Sequence, residues 1–504
     1  MRKAAEYMLI FSVAAALSAI IIFCVPWFAP VDDVGIHTIR AASYVWPINV
    51  PFPATTVFER AGSGFYQLYY LLHVPFLCLA SLIMRGGVMS TEVPTMDIMV
   101  VGAKLFHVAL IGALFTTIFW VTKHMYGRAA AYLSLLLLVT ASEVFFVRLF
   151  ILRPHTLASL LFVVFVFGII WRRYGFVFAA AMATVLSYTV AFMLIIPAAL
   201  ISLIERKGTV LAVALGGLLV GVLIHPLGLE YIQYAWFAHI VSAVLAAVGM
   251  HPAAPSEFYT NVTVMVSGMW LLLIFAAIVI STMRPARLQA FLHNRQTAEL
   301  LAVTVCFIPL MLLTPRGGEY FVPLYCVLCS GFLVHMFRRS KDSVHDENEK
   351  SMYVLSRVLA GASLVSVVLI YFAAYQFSVL SPDPELGFAA ARCVGEGKVY
   401  SKNFGDYVHV TFANQKLYFL TGIDPMFTVV DPEYGKYAGV LFDENSTLDE
   451  LLPALRLIQT DYIVTNEFGS GWKNGLDELI KDDRLQAVCL TPGSSKIFFK
   501  ILLE

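Results

Sequence analysis

The chain has 504 residues, 59% of them hydrophobic and only 13% charged, and its mean hydropathy is +0.77. Soluble domains carry roughly 25% charged residues, so the composition argues against a soluble globular protein and for a polytopic α-helical membrane protein. A formal net charge of 0 argues against a nucleic-acid partner.

That balance hides an asymmetry. Residues 381–504 hold 18 acidic and 11 basic side chains, which leaves 16 and 23 for residues 1–380. In a membrane protein the basic excess reports topology, because short loops rich in Lys and Arg stay on the cytoplasmic side.

The first apolar run, Tyr7 to Phe28, follows Arg2-Lys3 and is not succeeded by a small-residue cleavage site, so it reads as a retained span. Further basic clusters lie at Lys123 to Arg128, Arg172-Arg173, Arg206-Lys207, Arg284 to Arg295 and Arg338 to Lys341. Placing them all inside predicts spans at 4–28, 96–121, 128–147, 155–172, 175–189, 190–204, 209–226, 261–282, 298–314, 320–337 and 353–378. That makes about 11 transmembrane helices, with the N-terminus inside and the C-terminus outside the cytoplasmic membrane. The runs 65–84 and 231–250 are left out of this count as interfacial helices on the outer leaflet. The first holds Tyr66, Gln67, Tyr69, Tyr70, His73 and Pro75, and Tyr is at home among headgroups. The pair 175–189 and 190–204 is short for two full crossings; such pairs border a cavity.

Candidate chemistry gathers on the outer side. The long outer loop, residues 29–95, opens with Asp32-Asp33, and His37 and Arg40 follow Asp33 at i+4 and i+7 on one helical face. One carboxylate suits a helix N-cap. The other suits a general base that takes a proton from an acceptor. The second outer loop carries Glu143, Arg148 and Arg153-Pro154-His155, and charges at membrane depth are costly unless paired or functional. Lys104 and His107 lie inside the second span, and Arg316-Gly317-Gly318-Glu319-Tyr320 precedes span ten. With Arg60 in the first loop, these cations fit a phosphate or pyrophosphate.

From Ser381 the composition changes to alternating strand-like and helix-like patterns. Strands are predicted at 398–404, 407–412, 462–465, 485–490 and 497–502. Thr447-Leu448-Asp449-Glu450 is a capping box opening a helix through Ile458. The chain thus divides into a membrane domain, 1–380, and a small extracytoplasmic α/β domain, 381–504, in which Cys393 and Cys489 are free to pair. No Gly-rich phosphate loop, His-Glu-x-x-His or metal-spaced Cys-x-x-Cys pair occurs, which disfavours nucleotide-driven transport and zinc hydrolysis.

The layout of about residues 1–340 resembles the GT-C membrane glycosyltransferases, in particular the aminoarabinose-transferase and protein O-mannosyltransferase branch. The resemblance rests on the acidic doublet after the first span and on Phe65-Tyr66-Gln67-Leu68-Tyr69-Tyr70, where that branch has a Pro-Pro-Leu-His-Tyr-Trp-like helix. Lys104 (where the branch often has an Arg), the short pair at 175–204 and the Arg-bearing loop before span ten complete it.

The resemblance implies a polyprenyl-phosphate-linked sugar donor and inverting transfer to an extracytoplasmic acceptor (glycan, lipid or protein). Asp32 or Asp33 would be the base, with His155 as a second catalytic group. Arg60, Lys104 and Arg316 would hold the donor phosphate, and His37, Arg40, Tyr66, Tyr69, Arg148, Arg153, Glu319 and Tyr320 would line the substrate site. The family's acidic residue in the second loop is here replaced by Arg153-Pro154-His155, which puts a divalent cation, the one cofactor candidate, in doubt. Gly422-Ile423-Asp424-Pro425 resembles outer domains of other members and implies acceptor recognition. The competing readings are a lipid-linked glycan flippase, for which the sequence offers no inverted repeat, and a non-catalytic partner in envelope polysaccharide assembly.

Overall fold

The computed structural model describes residues 2–24, 38, 40–46, 66–88, 92, 94–140, 145, 149, 150, 152–236, 285–313, 317–338, 361, 393–402, 414, 416–419, 435–441, 443, 446–466, 475–489 and 496–502. Expected elements at 261–282, 353–378 and 407–412, and most of 231–250, fall outside them. The chain forms two compact units. One comprises Met1–Pro26, His107–Leu223 and Ser256–Gln376, the other Trp27–Phe106, Ile224–Pro255 and Phe377–Glu504.

In the first unit α1 (Arg2–Cys24) packs Ile10 against Phe119 and Ala131. Phe119 lies on α3 (Met96–Tyr126), whose first turns belong to the second unit, and Ala131 on α4 (Arg128–Thr140). At the base of α1, Glu6 joins Lys123 at 2.5 Å and Arg128 at 2.7 Å. Then come α5 (His155–Ile170), α6 (Tyr174–Val185), a 3-10 turn (Ala191–Leu194), α7 (Ile195–Glu205) and α8 (Thr209–Ile224). The expected short pair at 175–204 therefore exists as two short helices.

After α9 (Glu230–Ala235, in the second unit) the described chain resumes with α10 (Pro285–Leu292) and α11 (Arg295–Cys306). The single span expected at 298–314 is broken at Phe307, and α12 (Ile308–Leu313) continues it. Pro309, without an N–H to donate, accounts for the break. The long helix α13 (Gly318–Arg338) packs against α4 and α5, and α11 packs against α7 and α13.

Helix contacts here use small residues. A Cβ on Gly217 of α8 would overlap the Phe178 carbonyl of α6, and one on Gly221 would sit 2.8 Å from Val185 Cβ. This small-xxx-small spacing lets two apolar helices approach where no hydrophobic effect drives them together. At the α5 end, Arg172 adopts a left-handed φ of +58° and donates to the carbonyls of Ile169 and Ile170. Its guanidinium also pairs with Glu205 and, at 2.5 Å, with Glu299. Arg295 pairs with the same two carboxylates, so four charges pin α5, α7 and α11 together.

In the second unit α2 (Gln67–Met84) buries Tyr69, Tyr70, His73, Leu77, Ala80 and Ser81 on one face. Its other face exposes Leu71, Leu72, Leu79, Leu82 and Ile83. Four described helices are long and apolar enough to cross a membrane: α1, α2, α3 and α13. Length and composition thus permit α2, expected as interfacial, to span.

The same unit contains a five-stranded sheet in the order β2-β1-β3-β5-β4. Its strands are β1 (Gly397–Tyr400), β2 (Leu417–Phe419), β3 (Tyr462–Asn466), β4 (Leu485–Cys489) and β5 (Lys496–Ile501). Strand β1 runs parallel to β2 and β3, and β5 antiparallel to β3 and β4. Two short helical turns (Gly435–Tyr437 and α14, Ala438–Leu441), then α15 (Leu448–Leu457) and α16 (Leu476–Lys481), accompany it. Helix α15 opens with the expected capping box, and its Leu448, Leu451, Leu452 and Leu455 meet Tyr400, Ile463 and Phe499 of the sheet in one core. The fully buried Tyr400 hydroxyl donates to Leu441 O at 2.7 Å, and burial pushes its pKa up. Cys393 and Cys489 are joined in a disulfide. Strand β2 was not expected from the sequence; three residues are too few to show a period.

Candidate functional site

Asp32, Asp33, His37, Arg60, Glu143, Arg148 and Arg316 lie outside the described residues. The remaining candidates fall into two groups, one in each unit.

The first group is organised by α2. A 3.6-residue period puts Tyr69, Tyr70 and His73 on its buried face, and Tyr66 stands at its N-cap. Helix α2 meets the start of α3 at close range, because a Cβ on Gly102 would overlap Leu77. This approach places the Phe106 ring 5.0 Å from Tyr69 and 4.9 Å from the nearly parallel His73 ring. Tyr70 sits edge-on to both Tyr66 and Tyr69, at 6.2 and 6.1 Å. Arg40, 5% exposed, lies within electrostatic reach of Tyr70 and Tyr44. Partial burial raises the Tyr44 pKa, and the Arg40 charge works against that shift. Lys104, two residues before Phe106, is 4% exposed. A buried guanidinium beside aromatic hydroxyls can hold an anionic group, and the surrounding rings can present their faces to an apolar or sugar-like one.

Of the expected residues, this unit brings Arg40, Tyr66 and Tyr69 together and buries Lys104. It adds Tyr70 and His73, which the helical period would have selected had it been counted along α2.

The second group lies in the other unit, where α5 begins. Arg153 and Pro154 form the turn before it, and His155 and Thr156 are buried in its first turn. His107 of α3 is fully buried and donates from Nε2 to Leu149 O at 2.5 Å, with Thr156 Oγ1 3.3 Å from the same nitrogen. A carbonyl can only accept, so the proton is on Nε2. His107 Nδ1 has no hydrogen-bond partner among the described residues. His155 lies within electrostatic reach of His107. Two turns along α5, Phe162 packs edge-on to Tyr320 at 4.9 Å, and Tyr320 stacks on Phe307 at 5.7 Å. Glu319, 2% exposed, opens α13 beside Tyr320. The sequence marks His155, Glu319 and Tyr320 as site residues; it does not show that His107 holds the carbonyl of Leu149. Among the described residues no three His, Cys, Asp or Glu gather as metal ligands.

No protein-family model and no curated protein matches the sequence. Solved structures do match the fold. The oligosaccharyltransferase AglB of Archaeoglobus fulgidus, in complex with an inhibitory peptide and a dolichol-phosphate, aligns at a TM-score of 0.58 and 12% identity, over 92% of this chain and 70% of its own. ArnT of Cupriavidus metallidurans, bound to undecaprenyl phosphate, aligns at a TM-score of 0.52 and 10% identity, over 99% of this chain and 98% of its own. Both are GT-C glycosyltransferases. The chain has the GT-C fold, as the sequence reading expected.

Proposed function

We propose that the chain is an inverting glycosyltransferase that moves a sugar from a polyprenyl-phosphate-linked donor to an extracytoplasmic acceptor. The observation that carries this reading is the end-to-end fold match to ArnT bound to undecaprenyl phosphate, over 99% of this chain. The buried cations and ringed aromatics of the first group fit such a donor. In this mechanism Asp32 or Asp33 takes the proton of the attacking acceptor group, and the new glycosidic bond forms as the sugar–phosphate bond breaks. The leaving electron pair goes to the lipid phosphate, whose charge Arg60, Lys104 and Arg316 stabilise. A single displacement inverts the anomeric centre.

His37, Arg40, Tyr66, Tyr69, Arg148, Arg153, Glu319 and Tyr320 line the donor and acceptor paths in this reading, and His155 acts beside the base. The division at residue 380 and about 11 spans, N-terminus inside and C-terminus outside, belong to the same proposal. The Cys393–Cys489 disulfide supports an outer placement of the sheet, since such bonds persist in oxidising compartments.

The test uses membranes containing Asp32→Asn or Asp33→Asn and a radiolabelled polyprenyl-phosphate sugar. Loss of a general base lowers turnover by about 10²–10⁴-fold, so one variant is expected to fall that far with donor binding retained. Wild-type transfer by both variants overturns the mechanism.

A further inference from the structure

His107 has no part in the transfer as proposed, yet it is fully buried and commits its one N–H to a single segment of the first unit. Its Nε2 donates to Leu149 O at 2.5 Å, and the same nitrogen stands 3.3 Å from Thr156 Oγ1. The imidazole of α3 thus meets the chain on both sides of Arg153-Pro154-His155, once before that turn and once in the first turn of α5.

The segment has use for such a fastening. Pro154 is the N-cap of α5, makes no side-chain capping bond and has no N–H to donate. Packing holds the flanks: Leu149, Phe150, Leu152 and His155 are each 1% exposed, and Thr156 is fully buried. Among the described residues of 149–156, Arg153 alone is not buried. A closed frame therefore carries one part-exposed cation.

The chemistry of that cation makes its placement matter. A guanidinium takes a phosphate through a planar fork of N–H groups, so its direction counts as much as its distance. A buried carbonyl that loses its donor is costly. Turning the Leu149 carbonyl away relieves that cost and shifts the backbone four residues before Arg153.

We infer that His107 is a positioning residue: by holding Leu149 O and the first turn of α5, it aims the Arg153 guanidinium at the phosphate of the polyprenyl-linked donor. The inference rests on the transferase reading above, in which Arg153 lines the donor path. His107 acts through Arg153 and not on the substrate.

The experiment is a double-mutant cycle read by binding of undecaprenyl phosphate to the full chain in detergent, which needs no turnover. Arg153→Gln removes the fork and His107→Leu the fastening, and each is expected to weaken binding about ten-fold. The double variant is expected to stay near that loss, where two independent sites would give about a hundred-fold. His107→Gln, whose amide N–H falls near the place of Nε2, is expected to bind within about two-fold of wild type. A histidine that only stabilised the fold would lower the melting temperature without coupling to Arg153. Should His107→Leu fail to fold, His107→Asn, polar but too short to reach the carbonyl, takes its place in the cycle. Wild-type affinity in the folded His107 variant or in Arg153→Gln, additive losses, or no recovery in His107→Gln overturns the positioning role and leaves the donor reading standing. A wild-type chain that binds no undecaprenyl phosphate overturns both.

Discussion

Helices α8 and α15 each bury one apolar face, but they expose opposite chemistries. Helix α15 hides Leu448, Leu451, Leu452 and Leu455 and exposes Asp449 and Glu450. Helix α8 hides Val210, Ala214, Gly217 and Gly221 and exposes Leu215, Leu219 and Leu223 at 44%, 53% and 64%. In α15 apolar area removed from water holds the helix to its sheet. In α8 the outer leucines face a medium as apolar as themselves, so attraction has to come from close backbone approach and from charges held inside. What one region treats as its surface, the other uses as its core.

The sharpest way to break that contrast is to remove a charge from inside the helical unit. Glu299 is 2% exposed and joins Arg172 and Arg295. Deleting one partner of a buried ion pair costs about 3–5 kcal/mol. Glu205 still holds both guanidiniums, so about 3 kcal/mol is expected for Glu299→Ala. Thermal unfolding in detergent measures it; Glu299→Gln, which keeps one acceptor, is expected to recover part of the loss. Unchanged melting of Glu299→Ala would mean that the four-charge cluster is decoration.

A comparable loss is expected in the sheet region from a covalent change. Cys393→Ser opens the link to Cys489 across a sequence separation of 96 residues, and removing a native disulfide from a small domain costs about 2–5 kcal/mol. Hydrogen exchange of β1, β3 and β5 measures that loss. The same exchange in α5 and α13 is expected to stay unchanged, because those helices are held by packing that the disulfide does not touch.

Smaller again is the effect of the two faces of α8. Gly217→Leu forces a side chain into the Phe178 carbonyl, and overpacking costs about 1–3 kcal/mol. Leu219→Ala, on the exposed face, is expected to change stability by less than about 0.5 kcal/mol. If the ranking reverses in detergent melting, the inverted packing attributed to α8 is wrong.

The legible parts of this chain were those written in periodicity and charge. The spans around α1, α3, α5, α8 and α13 follow from apolar runs ended by basic clusters, and the α15 cap from Thr447 and Glu450. Pro309 marks the break between α11 and α12, but a hydropathy window averages over one residue. The Tyr69–Tyr70–His73 face was legible from the helical period. The His107 contact was not, because its partner is the backbone carbonyl of Leu149, and a carbonyl leaves no mark in a sequence. Glu299 read as part of a span for the same reason that it matters: its four-charge cluster is assembled by α5, α7 and α11, which are distant along the chain.

The smallest expected effect tests the other side of the comparison, where charges sit at a water-facing surface. Arg484 grips Asp482 with a fork, Nη2 to Oδ2 at 2.6 Å and Nε to Oδ1 at 2.8 Å, and reaches Asp449 at 2.7 Å. The hydrogen bonds from Arg484 hold the Asp482 pKa below its ordinary value, and those carboxylates raise that of Arg484. A depressed carboxyl pKa stabilises the folded state above the unfolded value, about 3.9, and that contribution disappears as pH falls through the lower folded value. Hydrogen exchange at β4 in wild type and Asp482→Asn is therefore expected to differ by a constant amount between pH 5 and 8, taken as the range of about full ionisation, and to converge below about pH 4. Such surface pairs contribute less than about 1 kcal/mol, well short of the loss expected at Glu299. A gap that widened in acid would reverse the sign of the linkage and assign the stabilisation to something other than the ionised Asp482.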